Sequence, residues 1–332
     1  MNAVVTGGGG FLGRRVVELL RERGDEVVVV GRSDYPEVAA TGARCVRWDL
    51  AEDRLGLAEV FAGADTVFHV AALPGVWGGK ERYWGVNVHG TQRVIDACRD
   101  AGVGRLVYTG SPSCTFDGRH HEGVSERDCP YPERFECHYP ASKAEAERRV
   151  LAANADQLAT VSLRPHLIYG PRDPHLLPRV LDRHASGRLR IVGDGLNRVG
   201  VTYVDNAAWA HLQAADALAH GSCAGNAYFV TDPEPVAIWA WLNTILDRLG
   251  RAPLTRRVPL GAARAVGAAL EGIWWAFSLS GEPPMTRFVA SQLATSHHYD
   301  LSGAVGDCGY APPVSAEQAL ERTVADLRAR FG

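Results

Sequence analysis

The stretch TGGGGFLG (6–13) follows a short apolar run, NAVVT (2–6), and leads into a segment with helical spacing of apolar residues. Its glycines at positions 7, 10 and 13 have the spacing G-x-x-G-x-x-G. Glycines between a buried strand and the start of a helix let the backbone approach a pyrophosphate, which then lies at the positive end of the helix. A flexible glycine turn is the alternative, but this position in the chain favours a dinucleotide site. We therefore expect cofactor contacts from Gly7, Gly10, Phe11, Leu12 and Gly13.

The first half of the chain alternates short β-branched runs with segments of helical periodicity. Strands are expected at 2–6, 26–30, 43–48, 65–71, 105–110 and 159–165. Helices are expected at 11–23, 53–61, 82–100 and 139–153. Apolar strands that alternate with helices are typical of a parallel sheet covered by helices on both faces.

This alternation weakens after about residue 165. Helices are expected there at 175–186, 204–220, 236–249, 260–278 and 315–330, with a short strand at 227–230. The predicted fold is α/β, a Rossmann-type doubly wound parallel sheet with a smaller C-terminal α/β substrate cap interleaved with it. The expected division assigns 1–165 and 196–232 to the Rossmann domain, and 166–195 and 233–332 to the cap.

The composition is that of an ordinary globular protein of 332 residues, with a net charge of −3. A nucleic-acid partner usually requires a strongly basic domain, so none is expected. No cationic segment precedes an apolar one at the N-terminus, so we expect no signal peptide and a cytoplasmic protein. Seven scattered cysteines without a CxxC pair indicate neither a disulfide framework nor a zinc site. The histidine pairs at 120–121 and 297–298 lack a further ligand at suitable spacing, so we expect no metal and interpret them as polar loop residues.

The most apolar stretch, 258–279, contains the charged residues Arg264 and Glu271. A membrane span needs about 20 predominantly apolar residues with few charges, so we expect no transmembrane helix here. Core packing, a cap over an apolar substrate and a membrane-surface contact all stay open. Trp274-Trp275 with Phe277 fit an acyl-chain site and a packed core equally well.

The end of the second strand predicts the choice of cofactor. A carboxylate at this place binds the adenosine ribose hydroxyls of NAD. Here VVVVGRS has Gly31 at that position, followed by Arg32. A guanidinium matches the geometry of a phosphate, so the pattern favours the 2′-phosphate of NADP(H), with a solvent-exposed arginine as the alternative. Asp49 and Leu50, at the end of the third strand, are expected at the adenine.

A second motif, CHYPASKAEAE (137–147), places Tyr139 and Lys143 on one face of an expected helix. A free tyrosine has a pKa near 10, and a lysine ammonium at about 4 Å could lower that pKa by roughly 3 units. Pro140 fits the first helical position. An acid/base pair and an accidental helix start are the two interpretations. Ser111, after the fifth strand, lies where such sheets bind ligands and favours the pair.

Together, these motifs resemble the extended short-chain dehydrogenase/reductase family over nearly the whole chain. The resemblance rests on TGGGGFLG, VNVHGT, YTGSPS, YPASK and RPHLIYGPRD. Within that family, TYVDNAAWAH and the tail PPMTRFVASQLATSHHYD are similar to the 3β-hydroxysteroid and sterol-4-carboxylate dehydrogenase branch. The resemblance implies a sheet of about seven strands, a substrate cap, and a homodimer formed through the helices near 82–100 and 139–153.

The resemblance also implies roles for single residues. Tyr139 would be the acid/base, Lys143 its partner and Ser111 the donor to the carbonyl oxygen. The other implied residues are Asn87, which would support a proton-relay water, Ala71 and Ala72 along the cofactor, and Pro165 near the nicotinamide amide.

Two positions depart from the family pattern. Gly110-Ser111 stands where two hydroxyl residues are common, which leaves Ser113 as an alternative donor. His166 stands where similar sequences carry arginine, so no ligand for a substrate carboxylate is assigned.

The expected activity is NADP(H)-dependent reduction of the 3-keto group of a long-chain 2-alkyl-3-oxo acid. GRSDYPE, LVYTGSPS and LRIVGDGLN resemble reductases of bacterial long-chain olefin biosynthesis, which also suggests association with other enzymes of that pathway. Oxidation of a 3β-hydroxysteroid or sterol acid is the main alternative. Nucleotide-sugar chemistry is disfavoured because Val199-Gly200-Val201 replaces the usual arginine-containing run, although Arg198 is close. A catalytically silent NADP sensor would usually lack the Tyr139–Lys143 pair.

Overall fold

A seven-stranded parallel sheet is the central element of the computed structural model, which describes residues 1–52 and 54–331. The strands of the chain are β1 (Asn2–Thr6), β2 (Glu26–Gly31), β3 (Arg44–Arg47), β4 (Thr66–His69), β5 (Arg105–Thr109), β6 (His121–Val124), β7 (Ala159–Pro165), β8 (Ile168–Tyr169), β9 (Ile191–Val192), β10 (Arg198–Val199), β11 (Thr202–Tyr203), β12 (Asn226–Val230), β13 (Val236–Ala237), β14 (Arg257–Val258) and β15 (His297–Tyr299). The central sheet has the order β12-β7-β5-β4-β1-β2-β3. Because β1 lies between β2 and β4, the strand order reverses there, and the carboxyl ends of β1 and β4 form the switch point at which such sheets bind ligands. The predicted doubly wound sheet is confirmed.

Helices cover both faces of this sheet. They are α1 (Phe11–Glu22), α2 (Pro36–Ala39), α3 (Leu57–Phe61), α4 (Lys80–Tyr83), α5 (Gly90–Ala101), α6 (His138–Ala152), α7 (Leu176–Ala185), α8 (Val204–Leu218), α9 (Ile238–Arg248), α10 (Leu260–Ala276), α11 (Arg287–Ala294), α12 (Ser302–Cys308) and α13 (Ala316–Phe331). Successive side chains of a strand point to opposite faces. In β1, Ala3 and Val5 accordingly pack with α1 and α8, whereas Val4 packs with α3, α5 and α6.

The prediction of one continuous helix at 82–100 was wrong. Trp84–His89 is a π-helical segment between α4 and α5, and α-helical geometry resumes only at Gly90. Segments of this kind are frequent at functional sites. Here the segment contains Asn87, which is almost fully buried.

Two other helices begin at residues that differ from the prediction, α3 later and α6 one residue earlier. Of the helix expected at 53–61, residue 53 lies outside the described residues, and α3 begins at Leu57. Helix α6 begins at His138, so Pro140 is its third residue and not its first. The first four N–H groups of a helix have no intrahelical acceptor, which is why proline is accommodated there as well.

The second half of the chain forms its own hydrophobic cluster, with Leu177, Leu242, Ile245 and Ala290 among its buried members. Three small sheets accompany it, with the strand orders β13-β10-β15-β6, β11-β8 and β14-β9. The four-stranded one combines β6 and β10, from segments assigned to the Rossmann domain, with β13 and β15 from the cap. The proposed division into domains stays a prediction.

The interpretation of the histidine pairs as loop residues was wrong. His121 on β6 pairs with His297 on β15, and both side chains are less than a tenth exposed. The pairing joins segments far apart in the chain, which no local pattern reveals. Within the described residues, no group of three or more His, Cys, Asp or Glu side chains could hold a metal ion.

Helix α10 and the residue that follows it expose apolar side chains at the surface. Arg264 and Glu271 form ion pairs with other segments, whereas Trp275 is 81% exposed and Phe277, just after the helix, is 73% exposed. Core packing is therefore the wrong interpretation for this outer face. In the described part of the chain, no helix has the length and apolarity needed to cross a membrane.

We expect the replacement Gly13→Ala to destabilise the protein. A Cβ atom at residue 13 would lie 2.2 Å from the carbonyl oxygen of Gly7, a backbone atom that cannot simply rotate away. Overpacking of this kind typically costs about 1–3 kcal/mol of unfolding free energy. The matched control is Gly272→Ala in α10, where a Cβ atom meets open space and alanine should add about 0.5–1 kcal/mol. Urea unfolding of both variants checks this, and a Gly13→Ala protein as stable as the wild type would contradict it.

Candidate active site

One cavity at the switch point brings together all the residues predicted to bind the cofactor. Its lining includes Gly7, Gly10, Phe11, Leu12, Gly13, Arg32, Asp49, Leu50, Ala71, Ala72, Ser111, Tyr139, Lys143 and Pro165. Asn87 is the one predicted site residue that does not line it. Tyr35, Trp48 and His175 also line the cavity and were not foreseen.

The glycine loop brings two backbone segments into close contact. A Cβ atom on Gly7 would lie 2.7 Å from Cα of Ala71, and Gly7 has a positive φ of 71°. Gly10 precedes the first turn of α1, which has no acidic residue and no side-chain cap, so its N–H groups are free to bind an anion. These features fit a cofactor pyrophosphate.

Tyr139 and Lys143 extend from α6 toward the carboxyl end of β5. The Nζ of Lys143 donates to the carbonyl oxygen of Thr109 at 2.6 Å and lies 4.3 Å from the ring centre of Tyr108. The ring of Tyr139 packs at 6.3 Å, centre to centre, from that of Tyr83. The arrangement places a phenol and an ammonium at one wall of the cofactor cavity.

Burial dominates the electrostatics of this pair. It raises the pKa of Tyr139 to about 12, against the opposing effect of a hydrogen bond from Ser111. It lowers the pKa of Lys143 to about 8, against the opposing negative charge of Glu147. The predicted net lowering of the pKa of Tyr139 was therefore wrong for the chain alone, where burial raises that pKa. The ammonium is engaged with Thr109 and Tyr108, and burial penalises the phenolate.

Ser111 is better placed than Ser113 to contact a substrate oxygen. Ser111 lines the cavity, and its hydroxyl lies 2.8 Å from that of Ser113. The backbone N–H of Ser113 donates to the same Ser111 oxygen at 3.3 Å. Ser113 therefore holds the hydroxyl of Ser111 in position through these contacts.

The glycine at position 110 has a steric cause. A Cβ atom there would lie 2.7 Å from both Glu147 Oε2 and Ser162 Oγ. Glu147 is fully buried, and it accepts hydrogen bonds from Arg164 at 2.7 Å and Tyr131 at 2.6 Å. This buried ion pair occupies the space that a hydroxyl residue would need, so the departure from the family pattern follows from packing.

Asn87 holds a loop of the cavity in place. Its Nδ2 donates to the carbonyl oxygen of Leu73 at 3.1 Å and to Ser142 Oγ at 2.9 Å, and its Oδ1 accepts from the N–H of Leu73 at 2.7 Å. The network continues from its carbonyl oxygen through Thr91 to His69, whose pKa burial lowers to about 3. The structure thus gives Asn87 a positioning contact, behind the cavity wall.

Neither Arg198 nor His166 is among the residues lining this cavity. Arg198, on β10, donates to the carbonyl oxygen of Pro235. His166 Nδ1 lies 2.6 Å from the carbonyl oxygen of Gly200, and its ring packs at 4.8 Å from that of His297. Neither of these two side chains therefore takes the place of the missing diphosphate-binding arginine in this cavity.

A second cavity lies beside the first. Its lining combines apolar and aromatic side chains with charged and polar ones and includes Val76, Trp77, Phe135, Cys137, His138, Trp274, Trp275, Leu279, Phe288, Glu136, Glu271, Ser278, Thr286 and Arg287. Cys137 and His138 directly precede Tyr139, and Val76 follows the cavity-lining segment that ends at Pro74. A cavity lined by both aromatic and charged side chains therefore adjoins the wall that contains Tyr139. Phe277, which was considered with the two tryptophans, is not part of this lining.

Comparisons with known proteins identify the family of the chain. Residues 4–260 match the model of the 3-beta hydroxysteroid dehydrogenase/isomerase family. A 2-alkyl-3-oxoalkanoate reductase of Stenotrophomonas maltophilia is 47% identical over 331 residues, covering 99% of this chain and all of the relative. The human sterol-4-alpha-carboxylate 3-dehydrogenase, decarboxylating, is 34% identical, covering 98% of this chain and 87% of that protein. The solved structure of MoeE5 in complex with UDP-glucose and NAD superimposes with a TM-score of 0.75 at 27% identity, over the whole of both chains. The chain belongs to the 3-beta hydroxysteroid dehydrogenase/isomerase family and is an oxidoreductase of the short-chain dehydrogenase/reductase superfamily.

Proposed function

We propose that this protein is an NADP(H)-dependent reductase that converts the 3-keto group of long-chain 2-alkyl-3-oxoalkanoates to the 3-hydroxy acid. The observation that carries the proposal is the common cavity that joins the glycine loop to Ser111, Tyr139 and Lys143. The 47% identity to a 2-alkyl-3-oxoalkanoate reductase over the whole chain supports the choice of substrate.

The roles of the side chains follow from their protonation. The cofactor supplies the hydride when bound. Tyr139, whose raised pKa keeps its hydroxyl protonated, donates that proton to the ketone oxygen as it gains negative charge. Ser111 donates a hydrogen bond to the same oxygen, and the ammonium of Lys143 stabilises the phenolate left on Tyr139.

The choice of NADP(H) rests on the ribose end of the cavity. Gly31 provides no carboxylate there, and Arg32 is exposed at the rim without a partner among the described residues. A free guanidinium beside the ribose suits a 2′-phosphate.

The aromatic side of the second cavity is proposed to hold an alkyl chain of the substrate. Trp77, Trp274 and Phe288 line it, and it begins next to Tyr139. Burial of each methylene of such a chain contributes about 0.8 kcal/mol, so a long chain gains most of its binding energy there.

The proposal extends to the assembly and the place of action. A homodimer through α5 and α6, a cytoplasmic location and association with other olefin-pathway enzymes rest on the family resemblance. A 3β-hydroxysteroid or sterol acid as substrate is the alternative, supported by the human relative at 34% identity.

An assay panel separates these functions. We expect oxidation of NADPH, faster than of NADH, with synthetic 2-alkyl-3-oxoalkanoates, and little reaction with 3β-hydroxysterols and NADP⁺. UDP-sugars serve as the negative control. The absorbance at 340 nm gives the rates directly. Turnover of sterols but not of 2-alkyl-3-oxoalkanoates would contradict the proposed substrate. Turnover with NADH but not with NADPH would overturn the cofactor choice.

We expect Tyr139→Phe to reduce turnover at least ~100-fold, the usual contribution of a general acid. Because the ring and its packing against Tyr83 are kept, NADPH binding measured by fluorescence titration should change little. The control is Tyr228→Phe, which removes a buried tyrosine's hydrogen bond to Asp307, away from the cavity. Near-normal turnover of Tyr139→Phe would remove Tyr139 from its proposed role.

The pH dependence should report on Lys143. A group with a pKa lowered to about 8 is charged below that pH and neutral above it. We therefore expect kcat/KM for NADPH, which reports the pKa values of the free enzyme, to fall as the pH rises through about 8. In Lys143→Arg the guanidinium stays charged, so the residual activity should keep its plateau to higher pH. A fall with the same midpoint in that variant would assign the titration to another group.

A further inference from the structure

Tyr35 lies directly on the backbone of the glycine loop. A Cβ atom on Gly9 would be 2.1 Å from a ring carbon of Tyr35, and one on Gly31 would be 2.6 Å from its hydroxyl oxygen. Gly31 is the last residue of β2, the position from which a carboxylate reaches the ribose in NAD-binding folds. The phenol of Tyr35 therefore occupies the space into which that carboxylate would extend.

The ring of Tyr35 is held in this place by the short helix that follows it. The carbonyl oxygen of Tyr35 accepts from the N–H groups of Val38 at 3.0 Å and Ala39 at 2.9 Å, and Val38 is buried in the core. Glu37 forms an ion pair with Arg14 on α1. Helix α2 is thus fixed to the glycine loop's own helix, and Tyr35 with it.

The hydroxyl of Tyr35 is available to a ligand. Within the described residues it has no hydrogen-bond partner, and Tyr35 and Arg32 line the same cavity. A phenol donates a hydrogen bond without adding negative charge, whereas a carboxylate in the same space would repel a phosphate dianion.

We propose that Tyr35 is a specificity-determining residue for the cofactor, which excludes an acidic side chain from the ribose site and donates a hydrogen bond to the 2′-phosphate bound by Arg32. The inference rests on the proposed use of NADP(H) and adds the residue that enforces it. In this arrangement Gly9 and Gly31 are glycines because the phenol needs the space above both.

Binding of cofactor fragments tests this without catalysis. The probes are adenosine 2′,5′-bisphosphate, which carries the 2′-phosphate, and 5′-AMP, which does not. Isothermal titration of the full chain should show that the wild type prefers the bisphosphate. Tyr35→Phe keeps the ring and should weaken bisphosphate binding about tenfold or more, the effect of one charge-assisted hydrogen bond, with 5′-AMP binding unchanged. Tyr228→Phe is the matched control and should bind both probes as the wild type does.

A second pair of variants tests the steric part. Gly31→Asp should weaken both probes, because the new carboxylate collides with the phenol. Gly31→Asp/Tyr35→Ala should recover 5′-AMP binding and lose the preference for the bisphosphate. If both variants bind 5′-AMP equally, Tyr35 does not exclude the acid, and the steric part is overturned.

The outcomes also separate this inference from the proposed function. A wild type that binds both probes equally would overturn the choice of NADP(H) itself. A wild type that prefers the bisphosphate, with the preference unchanged in Tyr35→Phe, would overturn the hydrogen-bonding role of Tyr35 and leave the proposed function standing. Thermal unfolding of each variant confirms that the folded protein is being titrated.

Discussion

The absence of side chains in the glycine loop is the steric constraint on which the site depends. Gly7 meets the backbone of Ala71, Gly13 meets the carbonyl oxygen of Gly7, and Gly9 meets the ring of Tyr35. These contacts bring the carboxyl ends of β1 and β4 and the start of α1 to one point. A side chain at any of the three would separate elements whose meeting forms the cavity. The fold and the candidate cofactor site therefore follow from the same few atoms.

Buried polar contacts extend this geometry to the cavity wall formed by α6. Thr6, at the end of β1, is hydrogen-bonded to His69, at the end of β4, which continues through Thr91 to Asn87. Asn87 in turn holds a loop and Ser142 of α6, the neighbour of Lys143. A buried polar network stabilises the fold only when each of its polar groups has a hydrogen-bond partner. Each hydrogen bond therefore restricts the position of the next group. The neutral state of His69 fits this purely structural position.

Local patterns in the sequence were sufficient to predict the sheet and the two motifs of the candidate site. The glycine spacing and the i, i+4 spacing of Tyr139 and Lys143 each describe a single element, and the structure brings both to one cavity. What could not be predicted depends on contacts between distant segments. The π-helical turn at Asn87 has the apolar pattern of an ordinary helix, and the place of Tyr35 depends on how α2 packs. Glu147 could have been predicted from the sequence, because it lies one turn beyond Lys143 on the helix face that carries Tyr139 and Lys143.

The ion pair of Glu147 and Arg164 connects the glycine at position 110 with the charge of Lys143. Glu147 requires a glycine beside Ser111, and its negative charge also opposes the loss of the proton from buried Lys143. Without that charge, the burial that already lowers the pKa of Lys143 would lower it further. The Arg164 guanidinium keeps Glu147 ionised in turn, because it holds the pKa of that carboxyl below its usual value. The side chains behind the cavity thus favour the protonated state of Lys143 at the wall that also contains Tyr139.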